Sequence, residues 1–413
     1  MFYRIDTMNR KLFQKLKEHL PKKEFTIITG ARQTGKSTLL KQLEKECLSS
    51  RIPYISINLE NKEFLMELDQ YPLSLLKYLP ETDKKVVVFL DEVQYLKDPS
   101  NFLKLLYDEH VNKIKIVATG SGAFYIDQKF TDSLSGRKRL FQLYTCSFDE
   151  NLVLSGHQGL LDEYHRLSNT KGAKSSLLSY IKAEWDKYMI YGGYPAVIKE
   201  TNPEDKILRL QEIRDSFIKR DITESGVRNE TAFYQLMRLL AAQTGGLVNT
   251  NKISIALRIT QETIQHYIYT LQKCFHISLV KPFYRNLKKE LIKMPKVYFN
   301  DIGLKNSLLN NFQTPLIRSD RGELWENIYF RYLLDHHSLD DIHYWRTADD
   351  NEVDFVLPTL HPPVAIETKY DIVNAMPSKY NKFKDTYPEI GLEYSWIEPW
   401  DERFCGRVRF DNT

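Results

Sequence analysis

Cysteine is scarce in this chain, with four in 413 residues. Cys47, Cys146, Cys274 and Cys405 lie on the order of a hundred residues apart, which excludes a metal knuckle and a disulfide framework. Long apolar runs are missing too: the longest obvious one is Val86 to Leu90, far short of the ~18 residues of a membrane span. The opening Met-Phe-Tyr-Arg-Ile-Asp has no apolar signal core. The expectation is a soluble, cytoplasmic protein with no membrane partner. Nor is there an excess of one charge: 58 Lys and Arg against 54 Asp and Glu give a net charge of +4. At 42% hydrophobic and 27% charged residues, neither disorder nor a fibrous repeat fits. The length suffices for two or three domains with full cores.

What is present begins at Phe25 to Thr29 (FTIIT), a β-prone stretch. It runs into Gly30-Ala31-Arg-Gln33-Thr34-Gly35-Lys36-Ser37 and then Thr38-Leu-Leu-Lys-Gln-Leu, which reads as a helix. Strand, G-x-x-x-x-G-K-S, helix is the context a phosphate-cradling P-loop requires. Gly30 and Gly35 let the backbone curl so that its N–H groups, from Ala31 through Thr38, face phosphate oxygens. The helix start adds its positive dipole end, Lys36 reaches the β/γ-phosphates and Ser37 ligates Mg²⁺, so ATP with Mg²⁺ is the expected cofactor pair.

Val86 to Leu90 is the continuous apolar run of a doubly covered parallel strand, and it ends in Asp91-Glu92. Strand carboxyl ends carry ligand groups in such sheets. Asp91 is expected to hold Mg²⁺, and Glu92 to orient and deprotonate the attacking water. Tyr54 to Asn58, Lys115 to Thr119 and Leu140 to Leu143 are further candidate strands. After Thr119 comes Gly120-Ser121-Gly122, which puts a hydroxyl near the γ-phosphate; Thr119 and Ser121 both qualify, and Ser121 is favoured. Arg137 and Arg139 read either as stabilisers of the transferring phosphoryl charge or as loop cations.

The stretches GARQTGKST, VVVFLDEVQYL, IVATGSGA and SLSGR together resemble a prokaryotic family of AAA-type ATPases, over roughly residues 1–155. Gly122 departs from the consecutive serines of that family's sensor segment. Further on, Tyr191-Gly-Gly-Tyr-Pro195 and Phe217-Ile-Lys-Arg220-Asp221 resemble the family's mostly helical second domain. Arg220 reads as an arginine finger or as half of a structural ion pair.

Between Phe233 and Phe299 ten Lys and Arg face only Glu262 and Glu290, so positive charge is concentrated in the middle of a nearly neutral chain. An acidic partner, nucleic acid and in particular DNA, is the implied match. Two helices, Phe233 to Gln243 and Lys252 to Arg258, precede a third that buries Ile264, Ile268, Leu271 and Phe275. Its other side carries Gln261, Gln265, His266, Tyr269 and Gln272, suited to groove contacts. Strands Ile277 to Val280 and Lys296 to Phe299 would form a basic wing bearing Arg285, Lys288, Lys289 and Lys293. This is a winged-helix pattern, and such modules also serve as packing units.

Near the end, Gly322-Glu323-Leu-Trp325-Glu326 opens an amphipathic helix. Glu352-Val-Asp354-Phe-Val and Val364-Ala-Ile-Glu367-Thr-Lys369 follow as strands. Period-two alternation puts Glu367 and Lys369 on one face, and pairing of the strands would bring Asp354 to Glu367. Asp354 and Glu367, joined by Glu326, would make an oxygen-rich Mg²⁺ site, with Lys369 orienting water. The pattern resembles the restriction-endonuclease-like (PD-D/E-x-K) fold, a domain that the same ATPase family carries at its C-terminus.

The expected architecture is α/β: an AAA-type P-loop domain over 1–155, a helical connector over 177–232, a winged helix over 233–310 and a nuclease-like domain over 318–413. The expected activity is Mg²⁺-dependent ATP hydrolysis acting on or controlled by DNA, with DNA cleavage as an added activity. The alternative is a nucleotide-gated switch with an inert nuclease-like domain. A homo-oligomer is compatible with either.

Overall fold

The computed structural model describes residues 10–121, 134–170, 174–285, 293–371, 377–398 and 408–409. The chain divides into two compact units, Met1–Cys146 with Lys273–Phe275, and Ser147–Gln272 with His276–Thr413.

The first unit is built on five strands: β1 (Phe25–Gly30), β2 (Tyr54–Asn58), β3 (Val86–Asp91), β4 (Ile114–Ser121) and β5 (Lys138–Gln142). They run in the order β2-β3-β4-β1-β5, every pair parallel. A parallel sheet needs crossover helices on its faces, so its central strands are buried on both sides. Accordingly Val86 to Leu90 is buried at every position. One layer packs Leu39, Leu40 and Leu43 of helix Lys36–Ser49 on Ile28, Phe89 and Val117. The other packs Phe102, Leu103 and Leu106 of helix Pro99–His110 on Ile27, Val88 and Ile116. Consecutive parallel strands place all carboxyl ends at one edge. The P-loop after β1 and Asp91-Glu92 after β3 therefore share that edge, with β4 between them.

The second unit begins with helices. Helix Leu178–Tyr191 stops at Gly192, where an added Cβ would lie 2.4 Å from Asp301 Oδ1, and the chain resumes at Pro195. The Asp301 carboxylate accepts from the Gly193 N–H at 2.8 Å, so this glycine pair exists to let another segment approach. After Pro195–Lys199 and the long helix Pro203–Ser225 come three more, Glu230–Ala242, Thr250–Leu257 and Gln261–Lys273, close to the expected bounds.

Seven strands complete this unit: β6 (Ile277–Pro282), β7 (Lys296–Phe299), β8 (His343–Arg346), β9 (Glu352–Leu357), β10 (Val364–Asp371), β11 (Gly391–Glu398) and β12 (Val408–Arg409). They form one sheet in the order β12-β11-β10-β9-β8-β6-β7. The wing strands β6 and β7 pair with each other, as expected, but β6 also runs parallel to β8. The contact is short: β8 pairs with Lys281 and Pro282, the end of β6 that extends past its pairing with β7. One sheet thus spans the border drawn at residues 310–318 from sequence. Likewise Leu210, Ile213 and Phe217 share one apolar core with Phe233, Ile264 and Val297, across the border drawn at 232–233.

Candidate functional site: a P-loop and a buried acidic cluster

The P-loop geometry follows from its glycines. An added Cβ at Gly30 would sit 2.0 Å from the Leu143 carbonyl oxygen, and Gly35 has φ +95°, a left-handed value that β-carbons disfavour. Gln33 is also left-handed, and Thr34 Oγ1 donates to Ala31 O at 2.8 Å, closing the loop on itself. Lys36 is buried, with Nζ donating to Gly30 O at 3.0 Å and Ala31 O at 2.8 Å. Burial brings its ammonium down to about 8, with Glu92 and Asp91 pulling the other way. Ser37 and Thr38 follow in the first turn of helix Lys36–Ser49.

At the neighbouring strand end, Thr119 of β4 joins both acidic residues. Its hydroxyl donates to Asp91 Oδ1 and accepts from the Glu92 backbone N–H at 3.1 Å. Glu92 itself adopts a left-handed backbone (φ +60°), and its carboxylate accepts from the Gln94 side-chain amide. A non-glycine residue in that region carries backbone strain. The side chain of Ser121, the favoured sensor, lies outside the described residues; Thr119 is the hydroxyl that the structure brings to the two acids.

One contact had no local signal in the sequence. Arg10 donates through Nη1 to Thr34 O and through Nη2 to Tyr144 O, each at 2.7 Å. It ties the P-loop to the segment after β5 from twenty-four residues upstream.

Arg137 and Arg139 sit at the start of β5, opposite Phe25 and Thr26 at the start of β1. That is the sheet edge away from the P-loop, and Arg137 Nε pairs with Asp108 at 2.6 Å. Neither arginine reaches its own chain's phosphate site. The side chain of Arg220 lies outside the described residues.

In the second unit, β9 and β10 pair antiparallel with Phe355 opposite Ile366, which sets Asp354 beside Glu367. The strand reading from sequence thus matches the register. Asp354 Oδ2 accepts from Thr368 N at 2.8 Å and Thr368 Oγ1 at 2.7 Å. Lys369 Nζ pairs with Glu367, as their shared face requires. Glu326 enters from helix Arg321–His336.

An unforeseen residue reaches them. Lys296, first residue of β7, is 1% exposed and places Nζ 2.9 Å from Glu326, 2.6 Å from Glu352 and 3.7 Å from Asp354. Tyr298, two residues along the same strand face, donates to Glu326 Oε1 at 2.6 Å. Burial alone would lower the Lys296 ammonium, but Glu326, Tyr298, Asp354 and Glu352 together hold it well above its ordinary value. Burial and then Asp354 raise the Glu326 carboxyl to about 8, against the pull of Lys296. Glu367 is raised to about 7 by burial and then Asp354, with Lys369 opposing.

These residues do not fit a metal ion. Among the described residues, no three His, Cys, Asp or Glu side chains are arranged to hold one. Glu326 and Asp354 are instead bonded by ammonium, hydroxyl and amide donors of the chain itself, while Glu367 pairs with Lys369 through Oε1 and keeps Oε2 buried without a hydrogen-bond partner among the described residues. Lys296, first residue of the second expected wing strand and one of the ten cations counted in that segment, is thus neutralised inside the chain. Of the other wing cations, Arg285 pairs with Glu389 at 2.5 Å, Lys293 is exposed, and Lys288 and Lys289 lie outside the described residues. On helix Gln261–Lys273 the side chains of Gln261, Gln265, His266 and Tyr269 are exposed and Gln272 is half-buried, while Ile264, Ile268 and Leu271 are buried.

Comparison with known proteins matches residues 22–152 to an AAA domain family, residues 182–314 to a domain of unknown function (DUF8612) and residues 321–401 to another (DUF4143). An uncharacterized protein of Haemophilus influenzae is 25% identical over 385 residues, covering 90% of this chain and 89% of its own. One from Mycobacterium tuberculosis is 24% identical over 394 residues, covering 94% and 80%. Among solved structures, the replication initiator DnaA bound to AMPPCP and single-stranded DNA overlaps with a TM-score of 0.28 at 15% identity, over 63% of this chain and 86% of that one. AMPPCP-bound DnaA from Aquifex aeolicus overlaps with 0.28 at 18%, over 66% and 89%. The amino-terminal segment is an AAA-type P-loop ATPase module.

Proposed function

We propose that the protein is an ATP-hydrolysing switch whose nucleotide state governs contact with DNA through the second unit. The observation that carries this reading is the joining of Asp91 and Glu92 by Thr119 at the strand edge that also bears the P-loop. The P-loop amides and Lys36 would bind the phosphates, Lys36 exchanging its two loop carbonyls for phosphate oxygens. Ser37 and Asp91 offer the hard oxygen donors that Mg²⁺ prefers; that ion would neutralise phosphate charge. Glu92 would take the proton of the attacking water, with Thr119 fixing its backbone and Gln94 its carboxylate.

DNA enters the proposal through the exposed polar side of helix Gln261–Lys273, the side that a helix-turn-helix presents to a groove. Cleavage does not enter it, because the carboxylates that would serve a nuclease are engaged by Lys296, Lys369 and Thr368.

The test compares wild type, Lys36→Ala and Glu92→Gln in ATP binding and steady-state hydrolysis, with and without duplex DNA. Lys36→Ala should lose ATP binding. Glu92→Gln should bind ATP and lose at least about a hundredfold in turnover, the scale of general-base removal. Full-rate hydrolysis by Glu92→Gln would refute its role, and a wild-type rate indifferent to every DNA tried would remove DNA from the reading. Nicking of supercoiled plasmid that disappears in Lys369→Ala would restore the nuclease.

A further inference from the structure

The acidic cluster draws its groups from separate elements: Glu326 from helix Arg321–His336, Glu352 and Asp354 from β9, Glu367 from β10 and Lys296 from β7. An ammonium has three N–H donors, and Lys296 has carboxylate oxygens from Glu326 and Glu352 within 3 Å and one from Asp354 at 3.7 Å. Charge-assisted contacts of this length occupy the oxygens that a hard cation would need. A divalent ion also requires six or more oxygen ligands drawn close around it, and the Lys296 side chain stands among them. The arrangement is a cation site by charge and burial, already filled by the chain.

We propose that Lys296 is a built-in counter-cation, occupying the place among Glu326, Glu352 and Asp354 that a divalent metal would otherwise take. The cluster is therefore a metal-free lock that fastens the hairpin β6-β7 to the helix and to β9. It follows that removing the Lys296 side chain does two things at once. It leaves buried carboxylates without a partner, and it opens a cation site in the same position.

The experiment uses the full chain without nucleotide, with Mn²⁺ as the probe. Bound Mn²⁺ is counted by electron paramagnetic resonance, and unfolding is followed by tryptophan fluorescence. Wild type and Asp354→Asn should bind the same number of Mn²⁺ ions; the asparagine keeps an oxygen for Thr368 but lowers the cluster's charge. Lys296→Ala should unfold at a lower temperature than wild type and gain one Mn²⁺. Saturating Mn²⁺ should raise its Tm by roughly 5 °C, a gain lost when Asp354→Asn is added. A wild-type count that falls by one in Asp354→Asn overturns the proposal, because the cluster would then hold metal with Lys296 in place. A folded Lys296→Ala that gains no Mn²⁺ overturns it as well. Should Lys296→Ala fail to fold, the wild type against Asp354→Asn count decides the matter by itself.

Discussion

Glu367 gives the second unit a pH dependence whose sign can be fixed in advance. Its carboxyl is 2% exposed and is raised from 4.5 to about 7 by burial and Asp354, so the folded state keeps a proton that the unfolded state releases. For a raised carboxylate the sign runs against the usual acid behaviour. The folded state has its full advantage below 4.5, loses it as pH rises towards 7, and has none of it left above. That rise, from 4.5 to about 7, corresponds to about 3 kcal/mol. Carboxylates that are lowered instead, such as Asp320 and Glu163, finish titrating below pH 5 and leave the window clear. All five tryptophans lie beyond residue 147, at positions 185, 325, 345, 396 and 400, so their fluorescence in urea follows this unit. Wild type should lose stability between pH 5 and pH 8. Glu367→Gln, which keeps the side chain's shape but has no proton to lose, should lose about 3 kcal/mol less over the same interval. Lys369, 24% exposed at its side chain, can turn to water when its partner is neutral. Parallel pH profiles for the two proteins would refute the assignment, as would a wild type that gains stability from pH 5 to pH 8.

Three further outcomes follow from the P-loop edge. Gly30→Ala places a methyl group 2.0 Å from the Leu143 carbonyl oxygen and should abolish binding of a fluorescent ATP analogue while the second unit's tryptophan transition stays in place. Arg10→Ala deletes two hydrogen bonds from a charged donor to the Thr34 and Tyr144 carbonyls. It should weaken ATP affinity about tenfold in equilibrium binding, with a smaller change in kcat. Thr119→Val removes the hydroxyl between Asp91 and Glu92 while keeping the strand's shape. Steady-state kinetics should show kcat down by about tenfold or more with ATP binding nearly unchanged, since a single fixed hydrogen bond at the reacting end is lost.

What the sequence made legible was whatever depends on neighbours along the chain. Val86 to Leu90 declares a doubly covered strand because all five residues are apolar, and the strand is buried throughout. The P-loop is legible because its glycines answer to local backbone demands at Gly30 and Gly35. Glu367 and Lys369 share a face because strand parity is a property of two residues' spacing alone. The arginines illustrate the limit. Arg137 follows a serine- and glycine-rich stretch that resembles a phosphate-site segment, yet parallel pairing of β5 with β1 sends it to the opposite edge of the sheet. Thr119 and Ser121 were both eligible from spacing, and only the register of β3 against β4 brings the Thr119 hydroxyl to Asp91.

Lys296 shows why a count of charge along a segment does not tell where that charge goes. In Lys296-Val-Tyr-Phe299 the alternation is plain: Lys296 and Tyr298 on one side, Val297 and Phe299 on the other. Such a pattern ordinarily means a strand with one wet face, and in a run of ten cations that meaning is the natural one. Here Val297 and Phe299 join the apolar core with Phe233 and Ile264, but the polar face is buried as well. A buried polar face demands partners, and none lies nearby in sequence: Glu326, Glu352 and Asp354 are thirty, fifty-six and fifty-eight residues away. The sequence reading joins Glu326 and Asp354 to Glu367 in a Mg²⁺ site, and nothing in the spacing signals that Lys296 reaches two of the three. A measurement that removes Lys296 from the cluster therefore bears on the charge of the basic segment and on the expected metal site together.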